Sequence, residues 1–151
     1  MKQLQTRLFG PVTYAAADVL HFPAGLPSFE DEREFLLLPI EGSDALLCLQ
    51  SIATPALAFI VMNPFTLSPD YAPVLRPGER QTLAVTRDQD LCFYVLCAMK
   101  RPVEDSTVNL KCPIALNPDT RTAMQVILET DHYHMHHPLS SFSREKEDAV
   151  C

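Results

Sequence analysis

Four of the chain's five histidines fall in the run His132-Tyr133-His134-Met135-His136-His137. Neutral imidazoles bind zinc, copper or nickel, and in an extended segment His132, His134 and His136 would project from one face. A dedicated site usually adds a thiolate or carboxylate and partners that orient the rings. Asp131 is the nearest such group, so the three histidines are weak metal candidates and no cofactor is expected. Nucleophilic chemistry is no better supplied. Cys48, Cys92, Cys97, Cys112 and Cys151 include no C-x-x-C pair, and the first four sit in apolar stretches, where thiols pack as small hydrophobes. Ser51 is in no strained turn of the G-x-S-x-G kind. Four glycines without a G-x-G pair leave no phosphate-cradling loop. The carboxylates of Glu104-Asp105 and of Asp88 and Asp90 lie beside turn residues and read as solvated loop groups. The chain is not expected to be an enzyme.

Binding is better supported. Asn63-Pro64-Phe65 is followed by Pro69-Asp70-Tyr71, so two prolines display two aromatic rings and a carboxylate on a stiff loop. Thr107-Val108-Asn109-Leu110-Lys111 places polar side chains at alternate positions, as on a sheet edge open to a partner. Phe65, Asp70, Tyr71, Asn109 and Lys111 are the expected partner-contacting residues. His21-Phe22-Pro23-Ala24-Gly25-Leu26-Pro27-Ser28-Phe29-Glu30 is shaped differently. Its prolines fix the backbone, Gly25 permits a left-handed turn, and three large apolar side chains need a place to pack. Phe22, Pro23, Gly25, Leu26, Pro27 and Phe29 are expected to be architectural.

Charge narrows the class of partner. Residues 11–75 hold Asp18, Glu30, Asp31, Glu32, Glu34, Glu41, Asp44 and Asp70 against Arg33 alone, and the remaining acids and bases cancel. The whole net charge of −7 therefore belongs to that half. Such a surface attracts basic proteins and repels phosphate backbones. Arg76, Arg80, Arg87, Lys100, Arg101 and Lys111 are interleaved with acids and lack an aromatic platform, so no direct nucleic-acid partner is expected. No apolar run approaches the roughly 18 residues of a membrane span, and Met1–Arg7 leads into no signal-like block. A cytoplasmic chain without membrane contact is expected.

The elements that must hold these groups are mostly strands. Apolar runs rich in β-branched and aromatic residues recur at 3–9, 12–15, 19–22, 34–40, 46–52, 57–62, 82–86, 91–99, 108–116 and 124–128. The thirteen prolines fall mainly between them. Ser28 is the one helix-start signal, over 29–33. With 47% hydrophobic residues in 151, one core is amply supplied. The expected fold is all-β, a small, mostly antiparallel barrel or sandwich with minimal helix. It is expected to occupy 1–139, with a flexible polar tail at 140–151.

In chain order, Phe9-Gly10, the His21–Glu30 motif, Phe35-x-Leu37-Leu38-Pro39, Leu49-Gln50-Ser51, Leu57-Ala58-Phe59-Ile60-Val61, Asn63-Pro64-Phe65 and Pro69-Asp70-Tyr71 resemble the flagellar assembly factor FliW family. Thr107-Val108-Asn109-Leu110-x-x-Pro113-Ile114, Asn117, Gln125-Val126-Ile127-Leu128 and His137-Pro138-Leu139 continue the resemblance. Each piece is short, but their collinear order spans about 2–139. The resemblance implies a non-catalytic β-barrel protein, monomeric when free, that binds flagellin in the cytoplasm. It also implies a second partner, the carbon storage regulator CsrA, which represses flagellin translation and is released when flagellin occupies the protein. The chain departs from the family pattern at Arg76-Pro77-Gly78-Glu79-Arg80-Gln81, where an acidic, helix-prone insert is common. This stretch is more basic and is expected to be less helical. Ala15-Ala16-Ala17 and the histidine run are further departures.

Overall fold

The computed structural model describes residues 1–7, 9–43 and 45–141. Eleven strands appear there: β1 Lys2–Thr6, β2 Gly10–Tyr14, β3 Leu20–His21, β4 Glu34–Pro39, β5 Leu46–Ser51, β6 Ala58–Met62, β7 Cys92–Ala98, β8 Thr107–Val108, β9 Ile114–Asn117, β10 Thr122–Gln125 and β11 His137–Pro138. Two short helices, α1 Pro64–Leu67 and α2 Pro77–Thr82, lie between β6 and β7. Seven strands close a ring in the order β3-β4-β5-β6-β7-β9-β10 and back to β3. All neighbours in it are antiparallel except β10 and β3, which pair at Thr122 and His21. The expected barrel with minimal helix is therefore what the chain forms.

Closure depends on a fork in β7. Its first half pairs with β9, from Cys92 opposite Leu116 to Tyr94 opposite Ile114. Its second half pairs with β8, at Cys97 with Val108 and Ala98 with Thr107. The apolar run at 91–99 thus belongs to a wall covered on both faces. One face joins the interior cluster of Leu20, Phe22, Phe35, Leu49, Val61, Ile114, Leu116 and Ala123, to which the seven ring strands all contribute or pack. The other face, with Phe93 and Val95, lies under a second cluster that includes Tyr71, Leu75, Leu83, Val108, Leu110 and Leu128. The segment carrying α1 and α2 is the lid of that outer cluster. A smaller cluster of Leu4, Tyr14, Val19 and Leu36 seats the β1–β2 hairpin on the barrel.

Several local expectations are corrected. Ser28 caps no helix: its φ is +69°, and residues 26–29 form a tight turn with an isolated bridge between Leu26 and Phe29. The basic stretch carries the short helix α2, Pro77–Thr82, with Arg76 as its extended N-cap. Glu79 Oε1 accepts the Arg76 N–H at 2.8 Å, and Pro77 supplies the preset φ at the helix start. The strand expected at 82–86 is consequently the end of α2 and a turn through Ala84, at φ +58°. The run at 108–116 is broken into β8 and β9 because Asn109 Oδ1 accepts the Cys112 N–H and folds the intervening residues into a turn. The expected tail at 140–151 lies outside the described residues from position 142 onward.

Candidate functional site

The His21–Glu30 segment closes one part of the barrel. Phe22 is wholly buried, with its ring 5.2 Å from Phe35 in an edge contact, and Leu26 is buried beside it. Gly25 makes the reversal, at φ +67°, donating its N–H to the Phe22 carbonyl. A Cβ there would lie 2.5 Å from the Glu30 carbonyl oxygen, so only glycine fits. Pro23 and Pro27 lie on the surface. Phe29 meets Phe59 at 5.5 Å, yet 38% of it remains exposed. Behind this loop, Glu32 accepts hydrogen bonds from Ser51 and Thr54, and buried Gln50 donates to the carbonyls of Ser51, Pro55 and Leu57. Ser51 is thereby engaged in loop structure.

The contact residues expected from sequence fall into two groups. Asn63 caps α1, its Oδ1 accepting the Phe65 N–H at 2.9 Å, and so fixes Phe65 on the surface at 37% exposure. Asp70 is exposed in the loop that follows. Val74, at 68% exposure, joins them. A hollow of about 280 Å³ separates Phe65, Pro73, Val74 and Phe93. Val74 was not singled out from sequence; an aliphatic residue stranded after a proline in a loop was the available signal.

Tyr71 is placed otherwise than expected. Only 3% of it is exposed, because its ring covers the outer cluster and packs against Phe65 at 5.8 Å and Tyr133 at 4.7 Å. Its hydroxyl donates to the Leu110 carbonyl at 2.7 Å. Burial, reinforced by Tyr133 and Cys112, pushes the phenol well above its ordinary range, so it stays a donor. In the free protein it therefore offers no surface to a partner. Asn109 and Lys111 are half-buried. Asn109 shapes the turn already described, and its N–H donates to the Leu96 carbonyl. The Lys111 ammonium donates to the Thr130 carbonyl. The structure thus joins Phe65, Tyr71 and the 109–111 turn through the Tyr71 side chain.

The histidine run does not form the expected face. The chain bends at 131–132 and again at 135, so no extended segment aligns His132, His134 and His136. Instead the His134 N–H donates to His137 Nε2 at 2.7 Å and the two rings stack at 5.3 Å. Among the described residues no three His, Cys, Asp or Glu side chains are grouped to hold a metal. Cys48, Cys92, Cys97 and Cys112 are free thiols. Burial pushes Cys97 up to about 12 and raises Cys48 and Cys112 as well, which leaves these three as packing groups. A larger groove of about 390 Å³ opens between Leu46, Met62, Leu67, Met99, Val103 and Leu139. No helix among the described residues is long and apolar enough to cross a membrane.

Comparison with known proteins adds the following. A family model described as FliW protein matches residues 3–139. A flagellar assembly factor FliW of Geobacillus sp. (strain WCH70) is 35% identical over 137 residues, covering 91% of this chain and 94% of that protein. The one from Moorella thermoacetica (strain ATCC 39073 / JCM 9320) is 34% identical over 149 residues, covering 98% of this chain and 94% of that protein. A crystal structure of the flagellar assembly factor FliW superposes with a TM-score of 0.85 at 34% identity, covering 91% of this chain and 96% of that one.

Proposed function

Because the chain belongs to the FliW family, and so to a family of flagellar assembly factors, we propose that it serves flagellar assembly by binding flagellin, and that it binds the translational regulator CsrA as a second partner. The observation that carries this reading is the collinear match over residues 3–139, joined to the same fold. The surface supports it: Phe65 and Val74 stand exposed around a small hollow in the loop region that also bears Asp70. Apolar anchors beside polar groups suit protein recognition. Asp18, Glu30, Asp31, Glu34, Glu41 and Asp70 are exposed. They favour a basic partner over a nucleic acid, as the CsrA role requires. In this reading the protein works in the cytoplasm as a monomer when free, and it carries out no catalysis. The coupling is competitive in effect: flagellin occupies the protein, CsrA is released, and flagellin translation stops.

Calorimetric titration with flagellin from the same host, followed by CsrA, tests the reading. Binding of both, with saturating flagellin abolishing the CsrA heat, is the expected result. Flagellin binding alone would leave a chaperone without translational control, and binding of neither would overturn the proposal.

A further inference from the structure

Three segments distant in sequence meet at one side chain. Tyr71 directly follows Asp70, and its hydroxyl donates across the fold to the carbonyl of Leu110, which lies between Asn109 and Lys111. Its ring sits 4.7 Å from Tyr133, whose own hydroxyl accepts the Ala72 N–H at 2.9 Å. The 130–134 segment in turn grips the turn on the far side: the His134 carbonyl accepts the N–H groups of both Leu110 and Lys111, and the Thr130 carbonyl accepts from the Lys111 ammonium. The 70–72 loop, the 109–111 turn and the 130–134 segment are therefore bonded to one another pairwise. Tyr71 and Leu110 are 3% and 2% exposed, so water is not at hand to replace their hydrogen bond. A displacement of Asp70 either carries Leu110 with it or strands a buried carbonyl.

We propose that Tyr71 is a positioning residue that makes the Phe65–Asp70 loop and the Asn109–Lys111 turn a single contact unit for a protein partner. A change at Asp70 is then felt at Lys111, although Tyr71 itself touches no partner. The proposal rests on the reading that these loops meet flagellin.

The variant Tyr71→Phe tests it by keeping the ring in place while removing the hydroxyl. One arm needs no partner: the amide resonances of Asn109 and Lys111 are compared before and after Asp70→Ala, with and without Tyr71→Phe. They should shift in the native background and shift markedly less in the variant, where only the path through Tyr133 and His134 is left. The second arm is a double-mutant cycle on flagellin affinity with Asp70→Ala and Lys111→Ala. The two changes should be non-additive by about threefold or more in the native background, and closer to additive once Tyr71→Phe is present. A merely structural tyrosine would weaken binding uniformly and leave the non-additivity intact, which would overturn the proposal. Additivity in the native background would overturn it too. If the native protein binds no flagellin, that partner is wrong, and the resonance arm alone decides the coupling. Should Tyr71→Phe not fold, the native double-mutant cycle decides alone: non-additivity of Asp70→Ala and Lys111→Ala supports the coupling, and additivity overturns it.

Discussion

At the scale of single residues, the same composition serves opposite ends. Gly25 and Gly78 differ in backbone conformation and in surroundings. Gly25 is left-handed, with the Glu30 carbonyl 2.5 Å from where a Cβ would stand, whereas Gly78 lies in α2 with nothing within 4 Å. Gly25→Val should therefore cost on the order of 3 kcal/mol or more through strain and displaced backbone. Gly78→Ala should instead stabilise by roughly 0.5–1 kcal/mol from helix propensity. Urea unfolding of the two variants checks both signs, and a Gly25→Val midpoint equal to the native one would show that the loop relaxes freely. Asp70→Lys belongs at this scale as well. The carboxylate is exposed, so the variant should keep its melting temperature while losing about 1–3 kcal/mol of flagellin affinity. Equal affinity by calorimetry would remove Asp70 from the interface. Tyr71 shows why residue type alone misleads here: an aromatic flanked by turn formers reads as a displayed anchor, yet a contact 39 positions away in sequence takes it inside.

At the scale of elements, sequence patterning was informative wherever a run was long and apolar, and misleading wherever a few polar bonds decided. The runs around β4, β5, β6 and β7 were legible because each meets two clusters, β4 the interior and the hairpin cluster, the others the interior and the outer cluster. α2 was not, since its six residues are set by the Glu79 carboxylate accepting the Arg76 N–H and by Pro77 at the helix start rather than by an amphipathic period. Glu79 is the side chain responsible: it is 8% exposed, accepts the Arg76 N–H and pairs with the Arg76 guanidinium at 3.1 Å. Glu79→Ala should destabilise by about 1–2 kcal/mol, and Glu79→Gln, which retains an acceptor, by less. Equal losses in chemical denaturation would mean the charge rather than the cap matters. The edge strand β11 gives a pH dependence. Burial, then the neighbouring His134, holds the His137 ring below its ordinary value of 6.5. Below 6.5 the unfolded chain takes up a proton that the folded one refuses, so stability is complete above that value and declines as the pH falls toward the folded pKa. The melting temperature should drop between pH 7.5 and 5.5, and by less in His137→Gln; parallel profiles would exclude His137 as the cause.

At the scale of the whole molecule, a closed barrel leaves little for a partner to use except loops, rims and, among the described residues, the edges of β11 and of the β1–β2 hairpin. Ring closure was not legible, because the β10–β3 pair rests on one register contact and the β7–β9 pair on a fork within a single strand. The charge distribution was legible in full, since it is a property of composition: residues 11–75 carry the net −7 whatever the fold does. Among the described residues, few of those acids are neutralised. Glu34 has His21 at 3.8 Å, and Glu32 is held by hydroxyls rather than by a cation. Their field therefore acts outward, and it should speed encounter with a basic partner more than it deepens the final complex. If CsrA is the second partner proposed above, its association rate should then fall steeply as salt rises from about 50 to about 500 mM, across which the Debye length shrinks severalfold, while the dissociation rate changes little. Flagellin, if held through Phe65 and Val74, should show a much flatter salt dependence. Stopped-flow rates at several ionic strengths separate the two cases. Matching salt slopes for both partners would mean that one surface and one kind of contact serve them both.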